Sequence, residues 1–243
     1  MRIRLGLKLI GLSALVMGVM AIGTAGVAQA ETGACWGYRN AKAELKCFGE
    51  AGLEAGVSFA FEGSTGTLLI ANLNFEILCT AGSLINGGKL TTNGSITAGQ
   101  FKLTGCIGLS KTPTLTKLAA CTPIDGTELG VILSEVITGL IRLHEGEPTV
   151  LFKPVSGTTL FNIHLGLNEE CAVGLNLIVK GELVIGDVAG KFGFEEHKLT
   201  HTFQEFAKLQ LMTVGVNKAT IDGNIVFSLD SPHNTLKWAG KAA

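Results

Sequence analysis

Charge is scarce in this chain, and so is proline. Only 16% of its 243 residues are charged and five are proline. Neither sign forms a long run, and the formal net charge is −1 at pH 7. A nucleic-acid surface needs a basic footprint, so that balance argues against such a partner. Aspartate occurs only at positions 125, 187, 222 and 230, and no EF-hand loop is present. There is no C-x-x-C and no Cys–His cluster at zinc spacing, so neither a metal nor a cofactor is expected. The common serine-hydrolase elbow, G-x-S-x-G, is missing too. The nearest phosphate-loop lookalike is GDVAGK, Gly186 to Lys191. It is one residue short, and Phe192 stands where Ser or Thr would meet magnesium.

The first thirty residues read as an export signal. Arg2, Arg4 and Lys8 make a basic start, an apolar stretch runs from Leu9 to about Val27, and Ala28-Gln29-Ala30 closes it. This order matches a cleavable signal peptide, with cleavage expected before Glu31. The apolar stretch is long enough to anchor in a bilayer, but its Gly and Ala content and the A-x-A end favour removal. A lipoprotein is disfavoured, since Thr32-Gly33-Ala34 precedes Cys35 without a Leu at the third position. Cleavage would leave 243 − 30 = 213 residues. Three basic residues leave with the signal, so 16 Lys and Arg face 20 Asp and Glu, a net charge near −4. No second long apolar run follows, so no membrane contact is expected after cleavage.

What fills the remainder is glycine, 33 in all, with Thr, Val, Ile and Leu. That mixture suits strands joined by glycine turns. VSFAFE puts Val57, Phe59 and Phe61 on one face, and LNFEILC leads the next strand to Cys79. Asn86-Gly87-Gly88, Asn93-Gly94 and Asp125-Gly126 are turn signals. In QFKLTGC, Phe101 and Leu103 point one way, Gln100 and Lys102 the other. GVILSEVITGLIRLHE is long enough for a helix, but its β-branched residues and Gly139 favour strand, with a bulge. PTVLFKPV and GTTLFNIHL read as a hairpin about Ser156-Gly157, with Phe161, Ile163 and Leu165 inward and Asn162 and His164 outward. CAVGLNLIVKGELVIG is one long strand or two short ones, and ATIDGNIVFSL and NTLKWAG end the chain. No fixed repeat recurs. The expected fold is all-β: a single antiparallel β-sandwich or distorted β-barrel, residues 57–243. It follows a signal peptide over 1–30 and a Cys35–Cys47 segment with its link over 31–56. Trp36 and Tyr38 are expected to pack that segment on the main domain.

The cysteines are Cys35, Cys47, Cys79, Cys106, Cys121 and Cys171. An even number in an exported chain implies a disulfide framework. Spacing suggests Cys35–Cys47 and Cys106–Cys121 as local bridges, which leaves Cys79–Cys171 as the long one.

Chemistry-bearing residues are thinly spread. The richest cluster is Glu195-Glu196-His197 with His201 four residues on. Glu196, His197 and His201 are weak candidates for a polar site, set against a solvated turn and a strand histidine. His144-Glu145-Gly146-Glu147 reads as a polar turn, and Glu169-Glu170 as a charged edge. Glycosidase chemistry needs two carboxylates about 5–10 Å apart, and sixteen glutamates (20 acidic residues less four aspartates) offer such pairs by chance. Asn93-Gly94-Ser95 is a glycosylation sequon that falls where a turn is expected. No catalytic residue is nominated.

Several local patterns together resemble a group of exported, Cys-containing, β-rich proteins of soil actinobacteria. They are the Cys35…Cys47 segment, Cys79-Thr80, Thr104-Gly105-Cys106, Cys121-Thr122-Pro123, Leu143-His144-Glu145-Gly146, Cys171 before a strand, and Ala219-Thr220-Ile221-Asp222-Gly223. The resemblance implies a secreted β-domain and supports the pairing given above. It implies no activity and no catalytic residue. The expected function is a non-enzymatic binding or structural domain, secreted or held at the cell envelope, with a wall polymer or another envelope protein as partner. The alternatives are a secreted hydrolase acting on glycans and a carrier of a small apolar ligand.

Overall fold

The computed structural model describes residues 35–39, 45–48, 56–70, 75–91, 93–110, 116–144, 147–166, 171, 176–185, 196–201 and 212–241. The expected signal over 1–30, the GDVAGK segment, Glu145-Gly146 and Glu169-Glu170 lie outside these residues.

Among the described residues, regular structure is strand apart from one 3-10 turn at Ala119–Cys121. The chain shuttles between two sheets. β1 (Cys35–Arg39) and β2 (Leu45–Cys47) come first and stand apart from both. β3 (Val57–Ile70) and β4 (Phe75–Cys79) open the larger sheet, and β5 (Ala81–Ile85) and β6 (Ser95–Thr104) belong to the smaller. β7 (Ile107–Ser110), β8 (Thr116–Leu118), β9 (Pro123–Asp125) and β10 (Glu128–Leu129) return to the larger sheet. β11 (Ile132–Leu133), β12 (Ile137–His144) and β13 (Glu147–Pro154) are in the smaller. β14 (Thr159–Leu165) and β15 (Asn176–Gly181) are large-sheet strands, and β16 (Leu183–Ile185) is small-sheet. β17 (Glu196–His201), β18 (Met212–Val214) and β19 (Asn217–Leu229) complete the larger sheet, before β20 (Trp238–Lys241). The larger sheet runs β10-β9-β14-β15-β18-β19-β3-β4-β7-β8, with β17 also on β19. The smaller runs β11-β6-β12-β13-β16, with β5 also on β6. Neighbouring strands pair antiparallel throughout.

The expected all-β fold is observed as two sheets closed on one core. Phe75, Ile77, Phe161, Ile163, Leu165 and Val179 from the larger sheet meet Ile96, Phe101, Leu103, Ile141, Val150 and Phe152 from the smaller in one buried cluster. Phe101 and Phe152 touch edge to face at 5.0 Å, a favoured aromatic geometry. The sequence alternation holds: Phe161, Ile163 and Leu165 are buried, Asn162 and His164 exposed.

The sheets are joined by a bent ribbon. β4 pairs with β7 in the larger sheet and β5 with β6 in the smaller, in one continuous register: Leu78 opposes Ile107, and Ala81 opposes Thr104. Strands that turn from one sheet into another make such corners. Cys79 faces Cys106 at the bend, and the two are bonded. Gly105, at the corner, has φ +63°, and a Cβ there would collide with the Thr80 hydroxyl. Only glycine fits both demands.

This arrangement corrects the expected pairing. Cys35–Cys47 is present, but the other bridges are Cys79–Cys106 and Cys121–Cys171, not Cys106–Cys121 and Cys79–Cys171. The shortest loop does not decide the partner; strand adjacency does. Cys121 precedes β9, which pairs with the end of β14, and the chain beyond β14 brings Cys171 back to it. The hairpin expected about Ser156-Gly157 is also corrected. β13 and β14 lie in different sheets, so that turn is a crossing between layers. CAVGLNLIVKGELVIG yields two short strands, one in each sheet.

The terminal strands close on each other. β1 lies between β2 and β20, with Tyr38 opposite Trp238 and Trp36 opposite Gly240. Trp36 and Trp238 are buried with ring centroids 5.2 Å apart, and Tyr38 lies 5.0 Å from Phe48. Trp36 and Tyr38 thus do anchor the disulfide-bounded segment, and the C-terminal strand is what they anchor it to. The Trp36 indole N–H finds no acceptor among the described residues.

Several outward positions are buried as well. On the smaller sheet Leu140, Leu151 and Val184 oppose one another and are all buried, on the face away from Ile141, Val150 and Ile185. On the larger sheet Thr220 and Glu76 both oppose Leu69, and Glu76 also opposes Leu109. Thr220, Glu76 and Leu109 are buried. Both sheets are therefore covered on two sides over these rows.

Candidate functional site

The open sheet surface lies where the covered rows end. β14, β15 and β18 are neighbours in the larger sheet, followed by β19. Their inward residues, Phe161, Ile163, Leu177, Val179 and Met212, are in the core. Period-two alternation then puts Asn162, His164, Asn176, Ile178, Lys180 and Thr213 on the outward face. Register aligns them in rows. His164 opposes Asn176, and Asn162 opposes Ile178. Lys180 opposes Thr213, which opposes Lys218. Asn162, His164, Asn176, Ile178, Lys180 and Lys218 are exposed.

The hairpin that joins β18 to β19 bounds this face. Val214 pairs with Asn217, leaving a two-residue loop of Gly215 and Val216. Gly215 has φ +58°, the backbone that a tight hairpin requires at its first loop position. Val216 is 96% exposed at the tip, and Ile178 is 45% exposed on the neighbouring face. The exposed side chains of this face are thus mostly polar, with limited apolar surface.

Its electrostatics follow from the sequence of the strands. TLFNIHL, NLIVKG and MTV contain no acid. Lys180 and Lys218 form no ion pair among the described residues, whereas Lys102 on β6 is bound to Glu128 on β10 at 3.0 Å. The His164 Nδ1–H donates to Asn176 Oδ1 at 2.7 Å. That bond fixes the ring and leaves Nε2 as the nitrogen able to meet a ligand.

The residues singled out from the sequence are placed otherwise. Glu196, His197 and His201 lie on β17, backbone-paired with Ser228, Phe227 and Gly223. A strand advances about 3.3 Å per residue, so the backbones of His197 and His201 stand about 13 Å apart. A helix would have stacked them one turn apart. His144 pairs with Glu147 where β12 and β13 meet, and the Glu145-Gly146 of the expected polar turn lies outside the described residues. Asn93 of the sequon is exposed, and its Oδ1 accepts from the Ser95 hydroxyl at 2.8 Å and from the Thr91 hydroxyl. All six candidate cysteines are in disulfides. Among the described residues no group of three or more His, Cys, Asp or Glu could hold a metal ion, and no helix is long and apolar enough to cross a membrane.

The sequence reading passed over Lys180, Thr213 and Lys218. Its available signal was the lack of acids in three separate strands, but only the sheet order makes those strands neighbours. No family model, no curated protein and no solved structure matches the chain.

Proposed function

We propose that the protein is exported and acts at the cell envelope as a non-enzymatic binding or structural domain. The observation that carries this reading is the set of three disulfides at structural joints. One clamps the corner between the sheets, one ties the chain beyond β14 to the start of β9, and one joins β1 to β2. Such bonds persist in oxidising compartments and are rare where thiols are kept reduced. The basic start, apolar stretch and Ala28-Gln29-Ala30 agree with that location. The exposed face of β14, β15 and β18 supplies a surface for binding. A core filled by Phe75, Phe101, Phe152 and Phe161 counts against a hollow carrier of apolar ligands.

Fractionation of the producing cell, with thiol labelling, tests the reading. It predicts protein in the envelope or medium whose six cysteines react only after reduction. Cytoplasmic protein with reactive thiols would overturn it.

A further inference from the structure

We propose that the outward face of β14, β15, β18 and the start of β19 binds a phosphate-bearing polyol or glycan polymer of the envelope. This rests on the envelope reading above and names its ligand class. Three observations converge on this face. First, it is open, whereas the outward rows at Leu140–Leu151–Val184 and at Thr220, Glu76 and Leu109 are buried. The boundary falls within β19 itself, between exposed Lys218 and buried Thr220.

Second, the described strands β14, β15 and β18 carry basic side chains and no acidic ones, although mature residues would carry 16 basic against 20 acidic groups. Lys180 and Lys218 flank Thr213 in one row. Two strand spacings separate them, about 10 Å. Lysine serves as a point charge for phosphate, so this pair can meet two anionic groups of one chain.

Third, the remaining side chains suit hydroxyls and carbon backbones. Asn162, Asn176 and the His164 Nε2 offer hydrogen bonds, Asn162 about 7 Å and the His164–Asn176 row about 13 Å along the strands from the lysine row. Ile178, exposed between these polar groups, offers a small apolar platform for C–H faces. Exposed groups spread in rows over four neighbouring strands suit an extended polymer better than a small molecule, which is usually enclosed in a concave site.

Binding of the oxidised protein to poly(glycerol phosphate), to neutral dextran of matched length and to phosphatidylglycerol vesicles tests the proposal. Poly(glycerol phosphate) should bind, with affinity falling as salt rises, while dextran and vesicles should bind far less. Lys180→Glu/Lys218→Glu should weaken polymer binding about tenfold, from exposed charge contacts removed and reversed. Lys180→Gln/Lys218→Gln, the milder variant, should weaken it about threefold. Lys117→Glu/Lys237→Glu makes the same change in net charge away from this face and should leave affinity within about twofold. Near-UV circular dichroism should be unchanged in all variants. Equal losses in the two charge-reversed variants would overturn the proposal, as would equal binding to dextran or vesicles. Retained envelope binding by Lys180→Glu/Lys218→Glu would overturn this face and leave the envelope reading standing. Failure of the unaltered protein to bind its envelope would overturn both.

Discussion

Replacing Cys79 and Cys106 together by alanine should destabilise the protein by about 5 kcal/mol. The bond spans 27 residues, and the chain-entropy relation gives about 3.5 kcal/mol for a loop of that size. Both cysteines are 1% exposed within the core, so each deleted sulfur removes about 1 kcal/mol of buried contact. Replacing Cys35 and Cys47 instead should cost less. That bond spans 12 residues, for about 2.8 kcal/mol, and Cys47 is only half-buried. Urea unfolding of the oxidised proteins measures the difference. With an m-value of about 2 kcal/mol/M, the corner variant should melt about 2.5 M earlier, the terminal variant less than 2 M earlier. The m-value should rise in both, because the denatured chain expands when a cross-link is lost. Equal midpoint shifts would refute the argument that the corner bond holds the two sheets together.

Other consequences are local. Gly105→Ala should lower stability by about 2 kcal/mol from its positive φ and its collision with Thr80, and adding Thr80→Ala should recover only the steric part; full recovery in thermal melts would contradict the backbone argument. Both tryptophans are buried, so fluorescence should be blue-shifted and resist iodide; ready quenching would place the terminal strands elsewhere. Trp238→Ala should cost about 3–5 kcal/mol, whereas Trp36→Phe should cost under about 1 kcal/mol, since it also removes an indole N–H without an acceptor. Comparable losses in the two melts would count against that assignment. Non-reducing peptide mapping should recover the Cys79 peptide joined to the Cys106 peptide; joined to the Cys171 peptide, it would contradict the corner.

Legibility from sequence followed the range of the interaction. In TLFNIHL and QFKLTGC, period-two alternation alone assigned the buried face, because a side chain's side is set by its own strand. The glycine turns at Asn86-Gly87-Gly88 and Asp125-Gly126 were equally local: Gly87, Gly88 and Gly126 all take positive φ. The strand preference in GVILSEVITGLIRLHE held, with β12 shifting register against β6 between Ile137 and Gly139. Long-range choices were hidden. Nothing in PTVLFKPVSGTTLFNIHL says that the turn crosses between sheets rather than closing a hairpin. The disulfide partners depend on β4 lying beside β7, and spacing favoured a shorter loop. One clue was present: Cys79 and Cys106 stand at matching distances from the hairpin turn that their strands share. The lysine row is hidden for the same reason, since Lys180, Thr213 and Lys218 become neighbours only through the order β15-β18-β19.

The most direct test of the central claim is sedimentation of the oxidised protein with purified envelope from its own host, across a salt series. The account predicts saturable co-sedimentation that salt reverses and that Lys180→Glu/Lys218→Glu weakens. Protein that stays in the supernatant at every salt concentration would contradict it.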